Sequence, residues 1–278
     1  MELDLSKVKT VFFIGIGGIG ISALAQMMLA RGVEVAGVND EEGKTIELLG
    51  KLGIKIYLVS DLKKLPEADA YIYSDAWLYR GPEIIEGAKK TGKPVLSFFE
   101  ALGEIAKNYK VVAVAGTHGK TTTTAMVAEI MVDAELDPTV VVGSFTKKFG
   151  SNFREGKGEY LVVEADEYNR HFLNFHPFVA VITNIEADHL DYYKDLADIQ
   201  NAFEKFGSQS KKLISDYSKY IEKVPKLLVP GEHNRQNAAA ALAVADALSI
   251  NLEKAQKTLE QFQGTWRRLE KRAELQTD

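Results

Sequence analysis

The chain has 278 residues, a formal net charge of -5 and a hydrophobic fraction of 46%. This length fits two domains with packed cores, and the acidic balance argues against binding nucleic acid through a basic face. The sequence contains no cysteine, so disulfides and cysteine-ligated zinc are excluded.

The N-terminus and the apolar runs predict neither a secretory signal nor a membrane segment. Residues 1–7 are polar and acidic, whereas a signal peptide needs a basic start followed by an apolar run. The longest apolar stretches, such as Val111 to Ala115, have the length of a strand, and a membrane helix needs ~20 apolar residues. We therefore expect a cytoplasmic protein without membrane insertion, of unspecified oligomeric state.

Strands and helices alternate along the first part of the chain. The predicted strands are 11–14, 33–38, 55–57, 70–73 and 95–97, and the predicted helices are 21–31, 45–52, 82–90 and 98–107. Continuous apolar runs suit parallel strands that are buried on both faces, and the alternation predicts a doubly wound α/β sheet. We expect this domain to span residues 1–107 and a second domain to span 108–278.

The loop after the first strand fits the dinucleotide fingerprint G-x-G-x-x-G. It reads Gly15-Ile16-Gly17-Gly18-Ile19-Gly20, and in such loops the helix N-terminus receives a diphosphate. Asp40 lies twenty residues after Gly20, where the fingerprint places an acid that binds the ribose. Taken by itself, this pattern predicts a Rossmann-like domain and an NAD-dependent oxidoreductase.

The second part of the chain continues the alternation. We predict strands at 111–115, 139–142, 160–164 and 179–183, and helices at 122–134, 198–206, 234–248 and 252–262. Asn251 is the expected N-cap of the last helix. Residues 208–230 are polar, rich in lysine and weakly patterned. A second parallel sheet is therefore expected.

A second glycine loop follows the strand at 111–115 and opens a helix. It reads Gly116-Thr117-His118-Gly119-Lys120-Thr121-Thr122. Backbone N–H groups in such a loop cradle a triphosphate, Lys120 would reach the terminal phosphates, and Thr121 or Thr122 would bind magnesium through its hydroxyl. The loop has two residues between its glycines where the usual P-loop has four. We predict an ATP site.

Acidic residues follow the next two predicted strands. Glu164 begins the cluster Glu164-Ala165-Asp166-Glu167, and residues 184–191 contain a second cluster that includes His189. The carboxyl ends of parallel strands are where open α/β sheets place ligands. Magnesium prefers hard oxygen ligands that it shares with phosphates, so Glu164 is a candidate magnesium ligand.

The ATP loop resembles that of the Mur ligases and folylpolyglutamate synthetase, and the match to the Mur ligases extends from Gly15 to Glu270. The resemblance implies a P-loop-type central domain that binds ATP and Mg²⁺. It also implies that the Rossmann-like domain holds a UDP-sugar instead of NAD, through residues 15–20, Asp40 and Ser74. Ser74-Asp75-Ala76 stands where the family has Ser-Ser-Ala.

The resemblance assigns further residues to the ATP site. His189 matches a histidine that binds magnesium beside the glutamate matched by Glu164. Asn234 and Asn237 match residues that contact the adenine side of ATP, although Asn234 also suits a helix N-cap. Arg268, in Gly264-Thr265-Trp266-Arg267-Arg268-Leu269-Glu270, matches the arginine that meets the γ-phosphate. Lys120, Glu164, His189 and Arg268 are therefore the expected catalytic residues.

The implied reaction activates a carboxylate by phosphorylation and then couples it to an amine. Two branches of the family compete: one joins L-alanine to UDP-N-acetylmuramate, and the murein peptide ligases join a recycled peptide. Residues 184–191 favour L-alanine, whereas Glu167-Tyr168-Asn169-Arg170 is more similar to the peptide ligases. A non-catalytic binding module and an NAD-dependent oxidoreductase remain alternatives from other classes.

Complete Mur ligases continue for about one more domain beyond the segment matched by residues 264–270. That domain helps to hold ATP and the incoming amino acid. The resemblance therefore leads us to expect that these 278 residues bind a UDP-sugar but release no phosphate that depends on L-alanine. Residues 208–230 are also expected to be shorter than the corresponding stretch of the family.

Overall fold

The chain divides between Asn108 and Tyr109 into two α/β units. The structure is a computed structural model that describes residues 5–266. Arg268 therefore lies outside the described residues. Among the residues described, no helix is both long and apolar enough to cross a membrane.

The first unit is built on a five-stranded parallel sheet with the order β3-β2-β1-β4-β5. The strands are β1 (Thr10–Ile14), β2 (Glu34–Asn39), β3 (Lys55–Leu58), β4 (Ala70–Tyr73) and β5 (Val95–Ser97). The helices are α1 (Ile19–Ala30), α2 (Lys44–Lys51), α3 (Trp77–Arg80), α4 (Pro82–Lys89) and α5 (Phe98–Ala106). Short 3₁₀ turns span Leu5–Lys7 and Val59–Asp61.

The strand order reverses at β1, and this places the first glycine loop. Phe12, Phe13 and Ile14 are at most 1% exposed, because helices cover both faces of a parallel sheet. The chain leaves β1 at the centre of the sheet, with β2 on one side and β4 on the other. A switch point of this kind leaves a crevice at the strand carboxyl ends, where open α/β sheets bind ligands.

The second unit contains a six-stranded sheet with the order β11-β10-β6-β9-β7-β8. The strands are β6 (Lys110–Ala115), β7 (Thr139–Val141), β8 (Phe153–Arg154), β9 (Tyr160–Glu164), β10 (Val179–Ile182) and β11 (Lys212–Ile214). All pairs are parallel except the β7–β8 pair at the edge. The helices are α6 (Lys120–Asp133), α7 (Leu196–Ser208), α8 (Glu232–Ala247) and α9 (Leu252–Glu260), with 3₁₀ segments at Tyr168–Asn174 and Ser218–Lys223.

The predicted parallel α/β sheets are confirmed, and the differences lie in short elements. Asn251 caps α9 as expected, since its side chain accepts a hydrogen bond from the N–H of Lys254 at 3.0 Å. The weakly patterned residues 208–230 form β11 and a 3₁₀ turn. These elements, together with α3 and β8, were not predicted, because two to six residues are too few to show a periodicity.

Glu129 is a buried acid on α6, with 5% of its surface exposed. Burial raises the pKa of its carboxyl to about 7, the charge of Lys148 opposes this shift, and Asp133 adds to it. A carboxyl with a raised pKa binds its proton more tightly in the folded chain than in the unfolded chain. Its ionisation therefore lowers stability as pH rises from about 4.5 to about 7, and the effect is constant above that range.

We expect Glu129→Gln to be more stable than the parent protein at pH 8, because the amide stays uncharged. The full shift corresponds to roughly 3 kcal/mol, and burial of the amide reduces the gain to about 1–2 kcal/mol. Urea unfolding at pH 5, 6, 7 and 8 measures the difference, which should grow up to pH 7. Glu253→Gln, at an exposed position of α9, is the matched control. A difference that does not change with pH would contradict the assignment.

Candidate functional site

The second glycine loop joins β6 to α6 and takes a backbone path that requires glycine. Gly116 has φ +135° and Gly119 has φ +83°, a region that other residues rarely adopt. A Cβ atom on Gly116 would overlap the hydroxyl of Thr183, and one on Gly119 would overlap the side-chain oxygen of Asn237. The loop is therefore packed closely against both the end of β10 and the start of α8.

Thr183 and Asn184, which follow β10, form hydrogen bonds with the backbone of this loop. The N–H of His118 donates to Asn184 Oδ1 at 2.9 Å, and Asn184 Nδ2 donates to the His118 carbonyl at 3.0 Å. Thr183 Oγ1 donates to the same carbonyl at 2.6 Å. Sequence reasoning missed Thr183 and Asn184 as parts of the loop's support, although their position after a buried strand was a usable signal.

Lys120 lies inside the loop and forms a buried ion pair with Glu167. Its Nζ donates to the carbonyl of Gly116 at 2.6 Å and to Glu167 Oε1 at 2.9 Å. The side chains of Lys120 and Glu167 are 15% and 3% exposed. Burial raises the pKa of the Glu167 carboxyl, and the positive charge of Lys120 partly offsets that effect.

Thr121 and Glu164 are brought together at the first turn of α6. Thr121 Oγ1 donates to Glu164 Oε1 at 3.0 Å, and the N–H of Gly143 donates to Glu164 Oε2 at 2.9 Å. Glu164 ends β9, which neighbours β6 in the sheet. Two of the three predicted magnesium ligands are thus in direct contact.

The third predicted ligand, His189, lies in another group. One ligand atom each of Asp166, Glu167 and His189 lies within 4.8 Å of the others, a spacing that could hold a metal ion. His189 Nε2 is 3.6 Å from Glu167 Oε1. Glu164 is not a member of this group within residues 5–266. Asp166 and Glu167 belong to the acidic cluster at the end of β9, but the sequence did not predict them as site residues.

The two acids of this group differ in electrostatics. Burial alone would raise the pKa of Asp166, but the nearby imidazole of His171, 3.9 Å away, a hydrogen bond from the N–H of Tyr168 at 3.1 Å and the charge of Lys120 hold it below its ordinary value. Glu167 Oε2 is a buried oxygen that accepts no well-aligned hydrogen bond from the described part of the chain. Lys120 Nζ lies 2.9 Å from this oxygen and balances its charge, so a metal ion bound here would share Glu167 with Lys120.

A cavity of about 710 Å³ opens beside the loop. This volume is within the range of nucleotide-sized ligand pockets. Its lining includes His118 and Gly119 of the loop, Asn234 and Asn237 of α8, and also Thr122, Thr183, Asn184, Tyr217, Val229, His233, Gln236, Phe262, Gly264 and Thr265. The predicted phosphate-binding and adenine-binding residues therefore share one cavity.

The asparagines and a tyrosine shape one wall of this cavity. The helix begins at Glu232 after Gly231, so Asn234 is inside the first turn and the N-cap alternative is wrong. Its Nδ2 donates to the carbonyl of Pro230 at 2.7 Å, and its Oδ1 accepts from Asn237 at 3.3 Å. Tyr217, missed because it lies in the weakly patterned segment, donates its hydroxyl to the Thr183 carbonyl at 2.6 Å.

The last described residues are fixed beside Glu164. The N–H of Trp266 donates to the carbonyl of Phe145, and Ser144 Oγ donates to the carbonyl of Trp266, both at 2.8 Å. Ser144 directly follows Gly143, whose N–H binds Glu164. Residues 144 and 266 are therefore held close to the Thr121–Glu164 contact.

The first glycine loop, in the other unit, is also closely packed. The N–H of Gly17 donates to Asn39 Oδ1 at 3.1 Å, and a Cβ atom on Gly15 would overlap the indole of Trp77. Helix α1 begins at Ile19 after Gly18, and no side chain caps it. The N–H of Ser74 donates to the carbonyl of Ile14 at 3.0 Å, which places Ser74 near the loop.

Two protein-family models match the chain, one in each of its two units. The family model described as "Mur ligase family, catalytic domain" matches residues 10–110, and the one described as "Mur ligase middle domain" matches residues 114–223. The UDP-N-acetylmuramate–L-alanine ligase of Acetivibrio thermocellus is 39% identical over 96% of the chain and 68% of its own length. That alignment covers 319 positions against 278 residues here, so the relative contains internal residues that this chain lacks.

Two solved structures are similar to almost the entire chain. The UDP-N-acetylmuramate–alanine ligase of Thermotoga maritima is 31% identical with a TM-score of 0.84, covering 95% of this chain and 70% of that one. The UDP-N-acetylmuramate:L-alanyl-γ-D-glutamyl-meso-diaminopimelate ligase of Neisseria meningitides is 26% identical with a TM-score of 0.80, covering 93% of this chain and 99% of that one.

We expect Gly119→Ala to weaken ATP binding at least tenfold, because the methyl group would displace Asn237 from the loop. Calorimetric titration with magnesium and ATP measures the change. Gly150→Ala is the control, since Gly150 has φ +62° but nothing within 4 Å of its Cβ position. Equal affinities of the two variants would contradict a role of the close contact between Gly119 and Asn237 in binding.

Proposed function

The chain belongs to the Mur ligase family, and from that premise we propose that it supplies the UDP-sugar and ATP sites for joining L-alanine to UDP-N-acetylmuramate at the expense of ATP in peptidoglycan precursor synthesis, a reaction that these 278 residues by themselves are not expected to complete. The observation that carries the proposal is the glycine loop with Lys120 and the Thr121–Glu164 contact, beside a 710 Å³ cavity that His118, Gly119 and Thr122 of the same loop line. A phosphate loop, an acid at the adjacent strand end and room for a nucleoside are what this chemistry requires.

The proposed reaction has two steps. A carboxylate oxygen of the muramoyl group attacks the γ-phosphorus of ATP, the bond to the β,γ-bridging oxygen breaks, and ADP leaves behind an acyl phosphate. The nitrogen of L-alanine then attacks the acyl carbon, the bond between that carbon and the phosphate oxygen breaks, and the nitrogen loses a proton. Phosphorylation is needed because a carboxylate is a poor electrophile.

In this proposal the protein acts mainly by positioning and by neutralising charge. Backbone N–H groups of residues 116–122 and the start of α6 cradle the phosphates. Lys120 binds the terminal phosphates, and Arg268 meets the γ-phosphate where charge develops. Asn234 and Asn237 contact the adenine side, in the part of the cavity that Tyr217 and Phe262 also line.

Magnesium fits the donor atoms of this site. Thr121 and Glu164 provide hard oxygens in contact with each other, and Glu167 provides a buried oxygen near His189. We propose Thr121, Glu164 and His189 as ligands, as the family resemblance implies, and add Glu167. A bound magnesium ion would neutralise part of the phosphate charge.

The first unit is proposed to hold the UDP-sugar. Residues 15–20 present backbone N–H groups and the N-terminus of α1, which suit a diphosphate. Ser74 lies at the same end of the sheet, as does Asp40 after β2. An NAD-dependent oxidoreductase is not favoured, because the curated relatives are ligases.

L-Alanine is favoured over a peptide as the amine. Curated L-alanine ligases are 34–39% identical to the chain, and among the solved structures the L-alanine ligase of Thermotoga maritima is 31% identical, whereas the peptide ligase from Neisseria meningitides is 26% identical. The residues that resembled the peptide ligases, Glu167 to Arg170, contain the ion-pair partner of Lys120 and a backbone kink. That segment therefore has a structural role whichever amine is used.

We expect Lys120→Ala to weaken ATP binding by at least about 100-fold, since a charge-assisted contact is lost and Glu167 remains as a buried, unpaired acid. Calorimetry with magnesium and ATP measures it. Lys254→Ala removes the same charge from an exposed position of α9 and should bind as the parent protein does. Unchanged affinity in Lys120→Ala would overturn the ATP site.

We expect UDP-N-acetylmuramate, and not NADH, to raise the thermal unfolding midpoint of the protein. A ligand that binds only the native state stabilises it by an amount that grows with the logarithm of the ligand concentration above the dissociation constant. At 100 times its dissociation constant the gain is ~2.7 kcal/mol, which corresponds to several degrees. Stabilisation by NADH alone would refute the UDP-sugar assignment and restore the oxidoreductase alternative.

A further inference from the structure

An ion pair lies across the carboxyl end of β1 in the first unit. Arg80 Nη1 is 2.8 Å from Asp40 Oδ2. Asp40 directly follows β2 and Arg80 ends α3, the short helix after β4. Because β2 and β4 flank β1 in the sheet, the pair connects the two sides of the point where the glycine loop leaves β1.

Neighbours of both partners contact the glycine loop. Asn39, next to Asp40, accepts a hydrogen bond from the N–H of Gly17 at 3.1 Å. Trp77, three residues before Arg80 on α3, packs its indole against Gly15. The backbone that carries each charge is therefore tied to the loop through an adjacent contact.

Stability does not account for this pair. The side chains of Arg80 and Asp40 are 59% and 37% exposed, and exposed ion pairs contribute little to folding because water screens them. The contact to Asp40 uses one nitrogen of a guanidinium that has five N–H donors. Arg80 therefore retains donors for a second, anionic acceptor.

The glycine loop itself has no cation. Gly15-Ile16-Gly17-Gly18-Ile19-Gly20 contains no charged side chain, whereas the loop of the second unit contains Lys120. A diphosphate binds more tightly when an arginine adds charge-assisted hydrogen bonds to those of the backbone. Arg80 can supply such a cation, because its helix contacts the loop through Trp77 and its partner Asp40 follows Asn39, which binds Gly17.

We propose that Arg80 binds the diphosphate of the nucleotide-sugar substrate and that Asp40 orients its guanidinium towards the loop. The inference rests on the proposed UDP-sugar function and adds a binding residue to it. Arg80 then supplies a cation for the diphosphate in the first unit, as Lys120 is proposed to do for the triphosphate in the second.

The test is calorimetric titration of the parent protein, Arg80→Ala, Arg80→Lys and Lys89→Ala with uridine, UMP, UDP and UDP-N-acetylmuramate. Arg80→Ala should lose about tenfold or more in affinity for UDP and UDP-N-acetylmuramate, less for UMP and less than twofold for uridine. Arg80→Lys should recover part of the loss. Lys89→Ala removes the same charge from an exposed position of α4 and should bind all four compounds as the parent protein does.

The possible results distinguish a failure of the role proposed for Arg80 from a failure of the proposed UDP-sugar function. If Arg80→Ala binds UDP within twofold of the parent protein, the inference is wrong although the UDP-sugar function stands. An equal loss for uridine and for UDP would place Arg80 at the nucleoside, which also overturns the inference. If the parent protein binds none of the four uridine compounds, the proposed function fails, and the inference fails with it.

Discussion

The buried ion pair between Lys120 and Glu167 is the interaction on which the second unit's site depends. Both side chains are almost removed from water, and a buried charge without its partner is strongly destabilising. Lys120 also donates to the carbonyl of Gly116, so the pair fixes the loop as well as its own partners. Through Glu167 the same contact extends to His189, at 3.6 Å, and so joins the phosphate loop to the candidate metal group.

Three residues near that ion pair have a left-handed backbone conformation. Asn169 and Arg170, just after Glu167, have φ 51° and 57°, and His189 has φ 54°. Such conformations are unfavourable for residues other than glycine and persist only where neighbouring contacts enforce them. Here Arg170 is held by Asp198 at 2.7 Å, and the hydroxyl of Tyr193 donates to the carbonyl of Glu167. The surrounding fold therefore fixes the directions in which Glu167 and His189 leave the backbone.

The two glycine loops and the elements around them could be predicted from the sequence, because they depend on the pattern of apolar residues and glycines over a short stretch of chain. The strand–loop–helix units that contain Gly15 and Gly116 are visible as apolar runs followed by glycines, and the structure has both. What could not be predicted depends on contacts distant in sequence. The position of Asn184 after a buried strand indicates a ligand site but does not identify His118, 66 positions away, as its partner, and nothing local to Tyr217 indicates a cavity wall. Pairing between Glu167 and Lys120 likewise appears only after folding.

Helix α8 shows how little room the second unit leaves around its loop. Residues 238–245, mostly alanine, are each at most 5% exposed, and the helix packs on α6. Asn237 opposes Gly119 because side chains of one carbon let the two helices approach closely. Any enlargement of these alanines would separate the helices or strain the core, typically at 1–3 kcal/mol. The packing of the glycine loop therefore depends on the volume of this chemically inert stretch as well as on the residues of the loop itself.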